Sequence, residues 1–427
     1  MSNPVTLFKR VEDRDFASLW AAQSVSQVGS QITTVALPLA AVALFDAGPA
    51  QMGLLNAAGY LPALLFTLLA GVWIDRGRRL PLLLGADLGR AVMIGLIPIT
   101  ALAGILKIEG LYLIVLVSGA LTVLFDTAYH AYVPTLVPGR SLTRANSRLQ
   151  FSVSFGQLAG PGLGGLLIQL LGAPVALVFD AASFLVSALF LLRIRHREPA
   201  PAPGGRRQIR QEIAEGSRAA FGNRHVRPVA LEAATFNFFS QFIAAIYVLY
   251  AVHDLGLSAG VIGTIASAAA VGAVLGALAI QSLVRRLGFG PVLIATMVIA
   301  STPLVAIPLA SGPAAPFVLA VAYFVQGFGL AVSASQAVTL RQVAVPPAVV
   351  GRANAAYRTL SFGVLPLGAL TGGLLGDLIG LRPALLVGGI GLALAPMWVL
   401  LSPVRHLRTA EDARPRPAEV SVSAPES

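Results

Sequence analysis

Twelve stretches of roughly twenty to thirty mostly apolar residues recur along this chain, at 16–45, 51–74, 80–105, 111–137, 143–171, 174–194, 228–252, 258–284, 290–311, 314–340, 353–380 and 383–403. Each is long enough to cross a hydrocarbon layer, which takes about 20 residues as a helix. Lipid offers no partner to peptide groups, so such segments fold as helices that satisfy their own backbone. The chain therefore reads as an all-α membrane protein, and the longer stretches imply tilt or extension past the bilayer. The acids Glu12, Asp13 and Asp15 before a long first stretch fit a retained helix rather than a cleaved signal. With 56% hydrophobic and 11% charged residues, a soluble globular enzyme and a disordered chain are excluded. Without cysteine there is no disulfide, thiolate nucleophile or Cys-ligated metal. Five scattered histidines provide no metal site, and neither His-Glu-x-x-His nor Gly-x-Ser-x-Gly occurs.

The basic residues, 28 Arg and 2 Lys, set the orientation. With a cytoplasmic N-terminus, 25 of the 30 fall in cytoplasmic segments, nine of them between Arg193 and Arg227. Only Lys107 and Arg382 fall outside, and Arg90, Arg148 and Arg358 lie within spans. This bias follows the positive-inside rule. The net charge of +11 thus reports topology, and no nucleic-acid partner is expected. The sequence predicts a multi-pass membrane protein with both termini cytoplasmic.

A shift of 208 residues lays Arg144-Ala145-Asn146 on Arg352-Ala353-Asn354, Gly160 on Gly368, Gly164-Gly165-Leu166-Leu167 on Gly372-Gly373-Leu374-Leu375, and Gly172 on Gly380. The expected organisation is a six-helix bundle at 1–194, a cytoplasmic linker at 195–227, a second six-helix bundle at 228–408 and a disordered cytoplasmic tail at 409–427. Parallel six-helix repeats are a transporter plan with the substrate site at the midplane. The linker begins Pro- and Gly-rich, and its charged stretch Arg206 to Arg218 is expected as an amphipathic helix on the membrane surface.

Two motifs carry mechanism. The loop after the second span reads Gly71-Val-Trp-Ile-Asp75-Arg76-Gly77-Arg78-Arg79. A glycine there permits close helix contact, and Asp75 can pair with arginines or accept from a helix N-terminus. The fifth span holds Gly156, Gly160, Pro161, Gly164 and Gly165 as G-x-x-x-G-P-x-x-G-G. Such glycines form a flat contact face, and the proline bends the helix. These segments, with Asp87-Leu-Gly-Arg90, Phe125-Asp126-Thr-Ala-Tyr129-His130-Ala-Tyr132-Val-Pro134 and Leu142-Thr-Arg144-Ala-Asn146, resemble the major facilitator superfamily. Within it they are similar to the drug:proton antiporter branch of macrolide-efflux and enterobactin-exporter-like proteins. The loop lacks one residue before its basic pair, and its second-half counterpart, Arg285-Arg286, has no acid. The resemblance implies two pseudo-symmetric six-helix bundles of the superfamily fold. It implies a cytoplasmic gate at Gly71, Asp75, Arg76, Arg78 and Arg79, and an antiporter seal at the fifth-span glycines.

Charges within spans require a partner or a role. Asp87 and Arg90 lie about 12–16 Å into the third span and Asp126 about 18 Å into the fourth. With Arg148 they are expected as an ion-paired layer, either a structural network or the proton-coupling group. Asp180 and Glu232 are weaker coupling candidates, and Arg358 is a possible gate member. Gln23, Gln27, Ser30, Gln31 and Thr34 share one face of the first span. Asn237, Gln241 and Tyr247 on the seventh span, Tyr323 and Gln326 on the tenth and Tyr129 on the fourth extend the polar set. The resemblance implies that these helices line a substrate cavity. It further implies a non-enzymatic, proton-motive-force-driven exporter of a hydrophobic or amphiphilic drug, antibiotic or siderophore. No cofactor or metal is expected, and the partners are the small-molecule substrate, protons and membrane lipids around a monomer. An uptake permease for a metabolite or lipid is the alternative, and a non-transporting receptor is the least favoured reading.

Overall fold

The computed structural model describes residues 4–137, 141–196, 198 and 209–414, with the side chains at 4–13, 67–76 and 209–213 left aside. All regular structure among them is helical. The helices are α1 (Pro4–Phe45), α2 (Pro49–Arg76), α3 (Arg79–Leu102), α4 (Ile108–Leu136), α5 (Leu142–Leu171), α6 (Ala173–Leu191), α7 (Ile209–Phe221), α8 (Val226–His253), α9 (Ala259–Leu287), α10 (Phe289–Ser301), α11 (Ala315–Ala344), α12 (Val350–Gly363), α13 (Leu365–Ile379), α14 (Leu381–Leu394) and α15 (Met397–Leu400). Eleven segments, with α12–α13 and α14–α15 each taken as one, are long and apolar enough to cross a membrane. The 28-residue α2 occupies the remaining expected position. Breaks within the spans fall at prolines: Pro303 ends α10, Pro366 opens α13, and Pro396 separates α14 from α15.

The chain forms two compact units. The first runs through Gly205 and includes Val248–Ser267, the end of α8 and the first turns of α9. The second comprises Arg206–Tyr247 and the residues from Ala268 onward. The first is built around Leu19, Phe125, Tyr132, Leu149 and Leu191, and the second around Val229, Leu293, Leu340 and Val404. Large apolar side chains such as Leu102, Leu278, Phe317 and Leu378 stay exposed, as a lipid-facing surface requires.

The internal repeat is visible in the backbone. Gly172 ends α5 at φ 85°, ψ 157°, and Gly380 ends α13 at φ 89°, ψ 160°. Only glycine occupies this region without strain. Packing repeats as well. A Cβ on Gly164 of α5 would stand 3.1 Å from Ile32 Cα on α1, and one on Gly372 of α13 would stand 2.8 Å from Phe242 Cα on α8.

The expected linker helix also packs on protein: in α7, Glu215 pairs with Arg352 of α12, Ala220 is fully buried, and a Cβ on Gly216 would stand 2.5 Å from Arg352 O. Gly216 and Ala220, one turn apart, let the two backbones approach. The expected disorder does not begin at 409, because Ala413 is buried in the second core. Residues 415–427 lie outside the described part.

Candidate functional site

The first unit contains a cavity of about 610 Å³, within the usual size range of small-molecule sites. Three helix faces build it. From α1 come Gln23 and Gln27. From α4 come Asp126, Tyr129, His130, Val133 and Pro134. From α5 come Leu142, Asn146, Leu149, Gln150 and Val153. The α5 residues follow the same 4, 3, 1, 3 spacing as the glutamine stripe of α1, so one helical face is presented each time. That spacing was the signal in the sequence for Asn146 and Gln150. Hydrogen bonds fix α1 against α5: Trp20 Nε1 donates to Ser152 Oγ at 2.8 Å, and the Ser24 and Ser152 hydroxyls lie 2.7 Å apart.

Within the cavity, Asp126 is exposed. Gln23 and Tyr129 are buried, at 8% and 5% exposure, and neither Gln23 Oε1 nor the Tyr129 hydroxyl has a hydrogen-bond partner among the described residues. His130 packs edge-on against Tyr129, with ring centroids 5.5 Å apart. Gln31 is not among the lining residues. It lies over α5, where a Cβ on Gly160 would collide with its side chain.

The four charges expected as one layer occupy different environments. Asp87 and Arg90 are buried and paired. The second Asp87 oxygen accepts from Ser187 Oγ at 2.6 Å, and the Arg90 guanidinium lies 4.3 Å from the ring centroids of both Phe125 and Phe184. Both rings are thus placed for cation–π contact with a desolvated cation. Asp180, also buried, accepts from Thr33 and from Ser183. This network joins α1, α3 and α6. Asp126 instead faces the cavity, and Arg148 is exposed with its guanidinium 6.0 Å from the Trp20 ring.

The glycine–proline motif has two contact surfaces. Gly156, Gly160 and Gly164 lie against Gln27, Gln31 and Ile32 of α1. Gly165 lies against the start of α9, where an added Cβ would stand 2.5 Å from Ala259 O and 2.9 Å from Gly263 Cα. Pro161 is buried within the helix.

The side chains of Gly71, Asp75 and Arg76 lie outside the described residues. Arg78 is exposed. Arg79 pairs at 3.5 Å with an acid the sequence reading passed over, Glu198, just after α6. Glu198 Oε2 also accepts from the Arg79 backbone N–H at 2.6 Å, so it caps α3. Nearby, Asp15 Oδ1 accepts from Arg195 N at 3.2 Å. A lone acid among linker arginines gives no sequence signal for such a role.

The remaining polar residues belong to the second unit. The Tyr247 and Tyr323 rings lie 5.4 Å apart, and Gln326 is buried. Asn237 Nδ2 donates to Ser361 O at 2.7 Å, which commits that amide to joining α8 and α12. Gln241 is partly buried on the same helix. Glu232 is buried on α8, and exposed Arg358 lies over Phe362.

Repeated helical halves, a lipid-facing exterior and a polar cavity walled by spanning helices make the architecture of a multi-pass membrane transporter. A family model described as transmembrane secretion effector matches residues 6–424, and the chain belongs to this family within the major facilitator superfamily. It is 26% identical over 409 residues to the multidrug efflux pump Tap of Mycolicibacterium fortuitum, covering 92% of this chain and 96% of that protein. It is 24% identical over 181 residues to macrolide efflux protein A of Streptococcus pyogenes, covering 42% and 44% of the two chains. Among solved structures, the nucleoside transporter NupG superposes with a TM-score of 0.74 at 14% identity, covering 90% of this chain and 99% of that one. A bacterial homolog of the human lysosomal transporter Spinster superposes with a TM-score of 0.72 at 16% identity, covering 98% and 100%. These two likenesses show the fold.

Proposed function

We propose that the protein is a proton-coupled exporter of hydrophobic or amphiphilic small molecules, a drug, antibiotic or siderophore. The carrying observation is a cavity between spanning helices whose wall sets one carboxylate, Asp126, among Gln23, Gln27, Tyr129, Asn146 and Gln150. The efflux names of the similar proteins support the direction of transport. In this reading the halves 1–194 and 228–408 expose the cavity alternately to the two sides of a bacterial inner membrane. The linker 195–227 and both termini stay cytoplasmic, and the protein works as a monomer. Asp126 is the coupling carboxylate because it faces the cavity, whereas Asp87 is held by Arg90 and Ser187. The loop Gly71–Arg79 gates the cytoplasmic side, and the α5 glycine surface seals the opposite side against proton leak. Protonation of Asp126 biases one conformation, and release of the proton inside permits return.

Proteoliposomes test this. An imposed inward proton gradient should drive export of candidate drugs, and Asp126→Asn should abolish the drive while the protein remains in the membrane. Export indifferent to the gradient, or fully driven export by Asp126→Asn, would overturn the reading.

A further inference from the structure

The side of α5 turned away from the cavity carries a stripe of its own. Arg144, Arg148, Phe151 and Phe155 follow one another at offsets of 4, 3 and 4, and all four are exposed. At about 100° per residue they share one face, opposite the cavity residues Leu142, Asn146, Leu149 and Val153. The helix has 30 residues and is about 45 Å long, against a hydrocarbon core of about 30 Å. With the Gly172 corner at one boundary, the core takes about the last 20 residues. Phe151 and Phe155 then lie at its other edge, and both arginines lie in the headgroup layer.

Neither guanidinium has a carboxylate partner among the described residues. The second half shows the contrast. The 208-residue shift lays Arg144 on Arg352, which pairs with Glu215 of α7. The same shift lays Glu215 on Leu7, so the first half has no acid at that place in its sequence. Trp20 also steadies this end of α5. Its Nε1 donates to Ser152 Oγ at 2.8 Å and to Arg148 O at 3.3 Å, and its ring lies 6.0 Å from the Arg148 guanidinium. A guanidinium beside a ring keeps its N–H edges for an acceptor, and its fork matches a phosphate. Next along the stripe, Phe151 and Phe155 stack with centroids 6.4 Å apart and are 67% and 51% exposed. Two unpaired cations followed by an apolar surface call for an anion that carries a hydrocarbon tail. A zwitterionic lipid leaves the positive charge uncompensated, and a soluble phosphate leaves the rings unused.

We infer that this stripe is a binding site for an anionic phospholipid, with Arg144 and Arg148 holding the phosphate and Phe151 and Phe155 lying along an acyl chain.

Native mass spectrometry of the delipidated full-length protein in detergent tests this without reference to transport. The probes are dioleoyl phosphatidylglycerol, dioleoyl phosphatidylcholine and glycerol 3-phosphate. Wild-type protein should hold its first phosphatidylglycerol at least about tenfold more tightly than phosphatidylcholine. Glycerol 3-phosphate at equal concentration should not displace the lipid. Arg144→Gln with Arg148→Gln should bring the preference to within about twofold. Arg285→Gln with Arg286→Gln, which removes two exposed arginines at the end of α9, should leave it unchanged. Equal retention of the two lipids by wild type, displacement by glycerol 3-phosphate, or equal loss of preference in both double variants would overturn the inference. If the α5 double variant does not yield monodisperse protein, Arg148→Gln alone decides: the preference should fall at least about threefold, and an unchanged one is fatal.

Discussion

The two halves solve one problem in different ways at the ends that carry their arginines. The third spanning helix of each half starts with backbone N–H groups that no earlier turn can satisfy. In the first half a side chain meets this need: Glu198 accepts from Arg79 N at 2.6 Å and from Leu80 N at 3.4 Å, and pairs with the Arg79 guanidinium. In the second half the main chain does it. Phe289 N donates to Arg408 O at 3.0 Å and Gly290 N to Leu407 O at 2.8 Å. The repeat places both caps in the same stretch after the sixth helix of each half, and the 208-residue shift lays Glu198 on His406. A carboxylate cap can be removed by one substitution. A carbonyl cap goes only if the strap itself is lost. The α10 start is therefore held by a packed main chain and the α3 start by a single carboxylate.

The largest effect should come from removing the strap. Truncation after Ser402 deletes buried Val404 and Leu407 together with the α10 cap. The expected cost is about 3–6 kcal/mol, taking about 1.5–3 per buried aliphatic side chain, read as a lost or strongly lowered thermal midpoint in detergent. Next is Gly290→Ala, whose new methyl would stand 3.1 Å from Leu407 O and closer still to Val404 O. Carbonyls of a packed strap move reluctantly, so about 1–3 kcal/mol should be lost. Glu198→Ala should cost about 0.5–2 kcal/mol, the usual range for losing a helix cap, with Glu198→Gln costing less because it keeps an acceptor. An Ala variant as stable as wild type would mean that water serves α3 equally well, and the contrast between the halves would collapse.

The smallest effect concerns Asp412. Its carboxyl is held below the ordinary aspartate range, first by the Thr409 backbone N–H and then by the Thr409 hydroxyl. The same oxygen accepts from Arg408 N at 2.9 Å, steadying the turn whose carbonyl caps α10. A depressed folded pKa contributes stability above the unfolded value, which is lost as pH falls through the folded one. The gap in thermal midpoint between wild type and Asp412→Asn should therefore be small at neutral pH and close below about pH 4. A gap that widens on acidification would reverse the sign of this assignment.

Much of the fold was legible because its signals are local. Spans add up residue by residue in hydropathy. Gly172 and Gly380 mark corners that other residues enter only under strain. The glutamine stripe of α1 announced a polar face, and two of its members, Gln23 and Gln27, line the cavity. Gln31, on the same stripe, was drawn to the α5 glycines instead, because close approach at Gly160 brings that backbone over it. The docking of α7 was hidden for a similar reason. Gly216 and Ala220 look unremarkable on a charged helix until α12 supplies the surface they fit.

By itself the sequence determined that the chain is a run of spanning helices and where the glycine-bearing corners fall, since transfer free energy and backbone sterics act over a few residues. Tertiary structure alone decided which carboxylates are buried in a network and which faces the cavity, since that depends on the rotation of α3 and α4 against their neighbours. It also decided the role of Glu198, which meets its partner across 119 residues of chain. No local pattern encodes a contact that exists only after the sixth helix has returned beside the third.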